Sequence, residues 1–114
     1  AHHPMFSTGS HGNAHEMINL GLKQKLIGHL DLLVGGHDHI LSDEGEYQDT
    51  RQLISGSASI TNDLGPASNA QHFTRATHGL ITLDFEKTDA GLRVDYRFYS
   101  VLGNPQDPLI TLLW

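Results

Sequence analysis

Cysteine is absent from the 114 residues, which excludes disulfides and Cys-based zinc knuckles. Basic residues are scarce. Seven Lys and Arg stand against thirteen Asp and Glu, a formal charge of −6. An acidic chain without a basic stripe repels phosphate backbones, so a non-specific nucleic-acid binder is excluded. Long apolar runs are missing too. The longest are Leu32-Leu33-Val34 and Leu112-Leu113-Trp114, far short of the roughly 18 residues that a spanning helix requires, and no membrane partner is expected. No secretory apolar region is present, and the compartment stays open. The length sets a ceiling of one compact domain.

What the chain has in excess is histidine. Nine are present, spread from His2 to His78 rather than gathered as a terminal tag. Histidine is the commonest metal ligand and the side chain that titrates nearest neutral pH, so the composition points to chemistry.

The pattern predicts an α/β fold. Residues 4–15 are punctuated by Pro4, Gly9, Gly12 and Asn13 and read as a loop. Ile18, Leu22, Leu26 and Leu30 recur at i+4 and predict one main helix over 15–30, with Asn13 and Glu16 as its capping pair. Leu32–Val34 predicts a short buried strand stopped by Gly35-Gly36. Residues 42–50 read as a polar turn region, 51–54 as a strand and 57–77 as a long surface loop. Alternation over 79–86 and 92–100, around the turn Asp89-Ala90-Gly91, predicts an antiparallel hairpin, with Ile81, Leu83 and Phe85 on its apolar face. Leu109–Trp114 predicts a last strand.

Two histidine clusters stand out. One is His2-His3-Pro4. The other is Gly36-His37-Asp38-His39, just past the carboxyl end of the first strand, where α/β sheets bind ligands. In an extended segment His37 and His39 point the same way, and two imidazoles on one side can grip a metal ion. Asp38 between them either orients an imidazole or faces solvent, and solvent is favoured. His29, on the predicted helix, reads as an ordinary surface residue, so His37→Ala and His39→Ala are expected to abolish metal binding more completely than His29→Ala.

These residues resemble the carboxyl-terminal half of a calcineurin-like metallophosphoesterase, nearest the purple acid phosphatase branch of the small tartrate-resistant type. The resemblance rests on Ala1-His2-His3-Pro4, His11-Gly12, Gly36-His37-Asp38-His39, Ser55-Gly56 and the Gly79–Leu83 strand, in that order. It implies an αββα sandwich of which this chain supplies a mixed sheet, one main helix and a carboxyl-terminal antiparallel hairpin. It implies His2 and His37 as ligands of one ion and His39 as a ligand of a second, within a dinuclear iron, zinc or manganese site. It assigns His11 to catalysis, touching the substrate phosphate or handling its proton, and His3 to packing or support beside the ligands.

The family's other ligand motifs do not occur here. The implied activity is therefore phosphate-ester hydrolysis that requires a missing amino-terminal half, with partnership by that half or by self-association. The resemblance favours a secreted or periplasmic setting. The alternative is a non-catalytic, His-rich metal-binding or oligomerising module.

Overall fold

The computed structural model describes residues 1–15, 20–66 and 72–100, and the backbone of 109–113. In chain order the elements are α1 (Leu22–Leu26), β1 (Leu32–Gly35), β2 (Leu41–Tyr47), β3 (Thr50–Ser55), β4 (Phe73–Arg75), β5 (Gly79–Thr88), β6 (Gly91–Ser100) and β7 (Leu109–Leu113). They form a four-stranded sheet in the order β1-β3-β2-β4 and a three-stranded sheet in the order β5-β6-β7. Parallel pairing of β1 with β3 beside antiparallel β2 and β4 makes the first sheet mixed. The second is wholly antiparallel. The α/β class and the hairpin are as the sequence pattern leads one to expect, and the mixed sheet is as the resemblance implied.

Alternation along β3 organises the first sheet, because successive side chains face opposite ways. Arg51 and Leu53 face the second sheet, where Leu41, Leu53, Tyr96 and Phe98 form a buried cluster with Leu32, Phe73, Ile81 and Leu83 packed against it. Gln52 faces the other way. On that side Met5, Phe6, Ile27 and Leu33 are buried, with Leu22, Leu26 and Tyr47 against them. Burying each such large side chain stabilises the fold by about 1.5–3 kcal/mol. Thr50 ties down the link between α1 and β1: its Oγ1 accepts from the Gly28 N–H at 2.8 Å and donates to the Leu30 carbonyl at 2.5 Å.

Several sequence expectations need correction. Among the described residues the expected helix over 15–30 is seen at His15 and again over Leu22–Leu26, with a turn at Leu20-Gly21 between them, and 16–19 lie outside the described residues. Gly21 and Gly28 adopt φ of 73° and 84°, a left-handed backbone that glycine reaches at no steric cost but that ends helical repetition. Asn13 Oδ1 accepts from the Ser7 N–H at 3.0 Å, and the expected capping partner, Glu16, lies outside the described residues. The polar turn region over 42–50 is in fact mostly β2, whose first five residues are buried. A bulge between Asp43 and Gly45 marks its pairing with β3, with Gly45 at φ 91°. The loop over 57–77 contains β4 and a bridge from Leu64 back to Gly9, while 67–71 lie outside the described residues. In the hairpin, Ile81 and Leu83 pack in the core as expected, but Phe85 is 60% exposed.

Candidate metal centre

The amino-terminal segment is laid against the end of β1 by backbone bonds. The Gly36 N–H donates to the His2 carbonyl at 2.8 Å, and the Ala1 amine donates to the Val34 carbonyl at 2.8 Å. Gln52, fully buried, fixes the next two residues. Its Oε1 accepts from the Met5 and Phe6 N–H groups at 2.8 and 3.1 Å, and its Nε2 donates to the Phe6 carbonyl. Gly35 lets the segment come this close, since a Cβ there would sit 3.2 Å from the Pro4 nitrogen. His2 and His3 are thereby held beside the turn that follows β1.

His37 on that turn has φ 59°, a left-handed conformation uncommon for a non-glycine residue. The backbone is therefore not extended here, and the period-two expectation for His37 and His39 does not hold. His37 instead meets His2 and His3. One ligand nitrogen from each of the three lies within 4.8 Å of the others. The His37 Nδ1 and His2 Nε2 atoms are 3.3 Å apart, close to the edge of about 3.3 Å that a tetrahedral zinc ion with 2.0–2.1 Å bonds imposes on two nitrogens. Ring centroids of His3 and His37 are 4.0 Å apart.

These residues fit one borderline ion such as zinc. The cluster contains no carboxylate. It therefore lacks the shared anion that would damp repulsion between two cations in a dinuclear site. Burial and the crowding of like groups also act on His37. Burial pushes the His37 imidazole below its ordinary value, as do His3 and His11, while Asp38 opposes and His2 assists. A lowered value favours the neutral, ligating form.

Asp38 corrects the expectation that it faces solvent. It is fully buried, because the left-handed step at His37 turns the next side chain inward. Its Oδ1 lies 2.6 Å from His11 Nδ1 and accepts from the His11 backbone N–H at 3.2 Å. Its Oδ2 accepts from Ser7 Oγ, which in turn accepts from the Gly9 N–H at 3.0 Å. The His11 ring, half-exposed, has its centroid 4.8 Å from that of His37.

Glycines wall this turn. A Cβ on Gly9 would lie 2.5 Å from Asp38 Cγ, and one on Gly56 would lie 2.0 Å from the Asp38 carbonyl oxygen. Gly56→Ala must therefore displace the backbone that carries His37 and Asp38. We expect a loss of about 1–3 kcal/mol in urea unfolding, with weakened zinc uptake in the same protein. Unchanged zinc affinity would show that the turn does not set the metal geometry.

The remaining histidines are distributed differently. His39 lies outside the trio; its Nδ1 is buried with no hydrogen-bond partner among the described residues. His29 is exposed, as are His15 and His72, and His78 Nδ1 lies 3.2 Å from the Ser57 carbonyl. His3, read from the sequence as a supporting residue, supplies a candidate ligand atom; the adjacent His2-His3 pair was the available signal. Asn62 had none. Its amide nitrogen is 3.3 Å from His11 Nδ1, and with Ser10, Thr61 and Asp63 it lines an open cleft of about 410 Å³ at His11.

No family model matches the chain, and no curated protein matches it. A solved structure described as "GAP50 the anchor in the inner membrane complex of Plasmodium" is similar to it, with a TM-score of 0.73 and 21% identity over 97% of this chain. The chain spans 34% of that structure's length. Similarity at this identity shows the fold alone. These findings correct the assignment to calcineurin-like metallophosphoesterases of the purple acid phosphatase branch: no family model supports it, and the similar structure is described as an anchor. The pieces behind the resemblance are short, and short motifs also match unrelated chains by chance.

Proposed function

We propose that these residues form the metal-binding part of a metal-dependent phosphoric ester hydrolase. The observation that carries the reading is the convergence of His2, His3 and His37 beside His11, which is anchored on a buried carboxylate. Three imidazoles with an open fourth position are the donor set of catalytic rather than structural zinc. When bound, such an ion supplies Lewis acidity toward phosphate oxygens. The chain's own groups do the rest. Ser10, Thr61 and Asn62 offer donors to an anionic ester in the cleft, and the His11 imidazole can take or give a proton there. A second ion would need carboxylates from outside the described residues.

A second reading is supported by the description of the similar structure as an anchor: a metal-binding module without turnover. Hydrolysis of p-nitrophenyl phosphate by the full natural chain, with zinc, manganese or ferrous iron supplied, separates the two. We expect metal-dependent turnover that His37→Ala removes. Metal uptake without turnover would sink the hydrolase reading and leave the module.

A further inference from the structure

We propose that Asp38 is a positioning residue for His11, fixing the imidazole as its Nδ1–H tautomer and leaving Nε2 as an unprotonated acceptor beside the three-histidine cluster. The role of that acceptor rests on the metal-site reading above; the tautomer itself does not.

The geometry leaves one placement for the proton. A carboxylate oxygen only accepts, and Asp38 Oδ1 lies 2.6 Å from His11 Nδ1. Two lone pairs at that distance repel, so the proton sits on Nδ1 and is donated to Asp38. The Asn62 amide lies 3.3 Å from the same nitrogen. It cannot donate there once Nδ1 carries the proton, and the shorter, charge-assisted contact prevails.

Asp38 cannot turn away to release the ring. It is fully buried, and its second oxygen is held by Ser7 Oγ. Its first oxygen also takes the His11 backbone N–H, so side chain and main chain of His11 are gripped together. Gly9 and Gly56 close the remaining space. Burying a carboxylate is costly unless its lone pairs are satisfied, and three donors converge on this one. A ring nitrogen's hydrogen bond sets which nitrogen remains free. Here the free one is Nε2, on a ring 4.8 Å from that of His37.

The test is a two-bond ¹H–¹⁵N correlation on uniformly labelled chain at about pH 8.5, where imidazoles are neutral. His11 is expected as the Nδ1–H tautomer, while exposed His29 shows the mixture of a free imidazole. An Nε2–H tautomer or an even mixture at His11 would overturn the proposal. In Asp38→Ala, or in Asp38→Leu should the alanine variant not fold, His11 is expected to revert to the His29 pattern; an unchanged tautomer would equally overturn it. Zinc chloride added to the same wild-type sample reads the other claim separately. Absent shifts at His2, His3 and His37 would defeat the metal site while leaving the tautomer result standing.

Discussion

Substituting His37 by alanine is expected to weaken zinc binding at least about 100-fold in a calorimetric titration at neutral pH. Changes to groups that only support a ligand cost about 10–100-fold, and His37 is closer than that. Its Nδ1 lies 3.3 Å from His2 Nε2, and its ring contacts those of His2, His3 and His11. His2→Ala and His3→Ala should lose comparable affinity, and His29→Ala should match the parent. His39→Ala discriminates between two expectations. The sequence spacing makes it as damaging as His37→Ala, whereas the left-handed turn at His37 leaves it outside the cluster and predicts a smaller loss. A loss at His29 equal to that at His37 would mean adventitious binding to scattered imidazoles.

Acidity supplies a second readout of the same site. The His37 imidazole is pushed below its ordinary value of 6.5, first by burial and then by His3 and His11. A group whose value falls on folding binds its proton more readily in the unfolded chain. Its contribution to stability is present above 6.5 and is lost as pH falls through the lowered value. Zinc competes with the same protons. Zinc affinity should therefore be flat above neutrality and fall on acidification.

The parts of the fold visible in the sequence were those with local periodicity. The β5–β6 hairpin alternates cleanly, and its turn falls at Asp89-Ala90-Gly91 as composition dictates. β2 was invisible because its residues look like a turn: Ser42, Asp43, Glu44 and Gly45 sit together. Their burial is possible only because partners arrive from far along the chain. Thr8 gives Glu44 two hydrogen bonds, at 2.9 and 2.8 Å. Arg51 and Tyr96 meet Asp43. No short window of sequence contains the Thr8–Glu44 and Tyr96–Asp43 pairs, 36 and 53 residues apart. The helix failed for the opposite reason. Leu22 and Leu26 of its i+4 stripe do pack against the core, but Gly21 and Gly28 break the backbone on which a stripe depends.

The site divides along the same line. Histidine abundance and the Gly35-Gly36 stop located the region, and His2 and His37 do come together. What spacing could not supply was one backbone angle. The φ of 59° at His37 sends His37 toward His2 and His3, turns Asp38 into the interior and separates His39 from the group. Strain of this kind costs about 1–3 kcal/mol and persists where surrounding contacts enforce it. Here those contacts are the Asp38 cage and the bond from Gly36 to His2.

Replacing Asp43 by alanine is expected to be the most destabilising single change in the described residues, costing about 3–5 kcal/mol, the loss that follows when one member of a buried ion pair is removed. Asp43 Oδ2 accepts from Arg51 Nη2 at 2.7 Å and from the Tyr96 hydroxyl at 2.6 Å. Arg51 lies on β3 and Tyr96 on β6, so one carboxylate oxygen joins the two sheets at their buried interface. Burial works against the Arg51 cation, but the hydrogen bond and charge of Asp43 outweigh it and hold the guanidinium above its ordinary value. Burial, then the bond to Asp43 and its charge, push the Tyr96 phenol well above 10.0.

In Asp43→Ala the guanidinium and the phenol lose that shared acceptor in a space closed to water. Asp43→Leu combined with Arg51→Met and Tyr96→Phe should recover much of the loss, because apolar replacement of all partners removes the uncompensated groups. Urea unfolding of the two variants checks this, and a triple variant no more stable than Asp43→Ala would mean that the network is needed for packing itself. Alkali offers an independent check without mutation. A phenol whose value rises on folding stabilises fully below 10.0 and loses that contribution as pH climbs beyond it. The parent should therefore lose stability above that pH, and Tyr96→Phe should lose less.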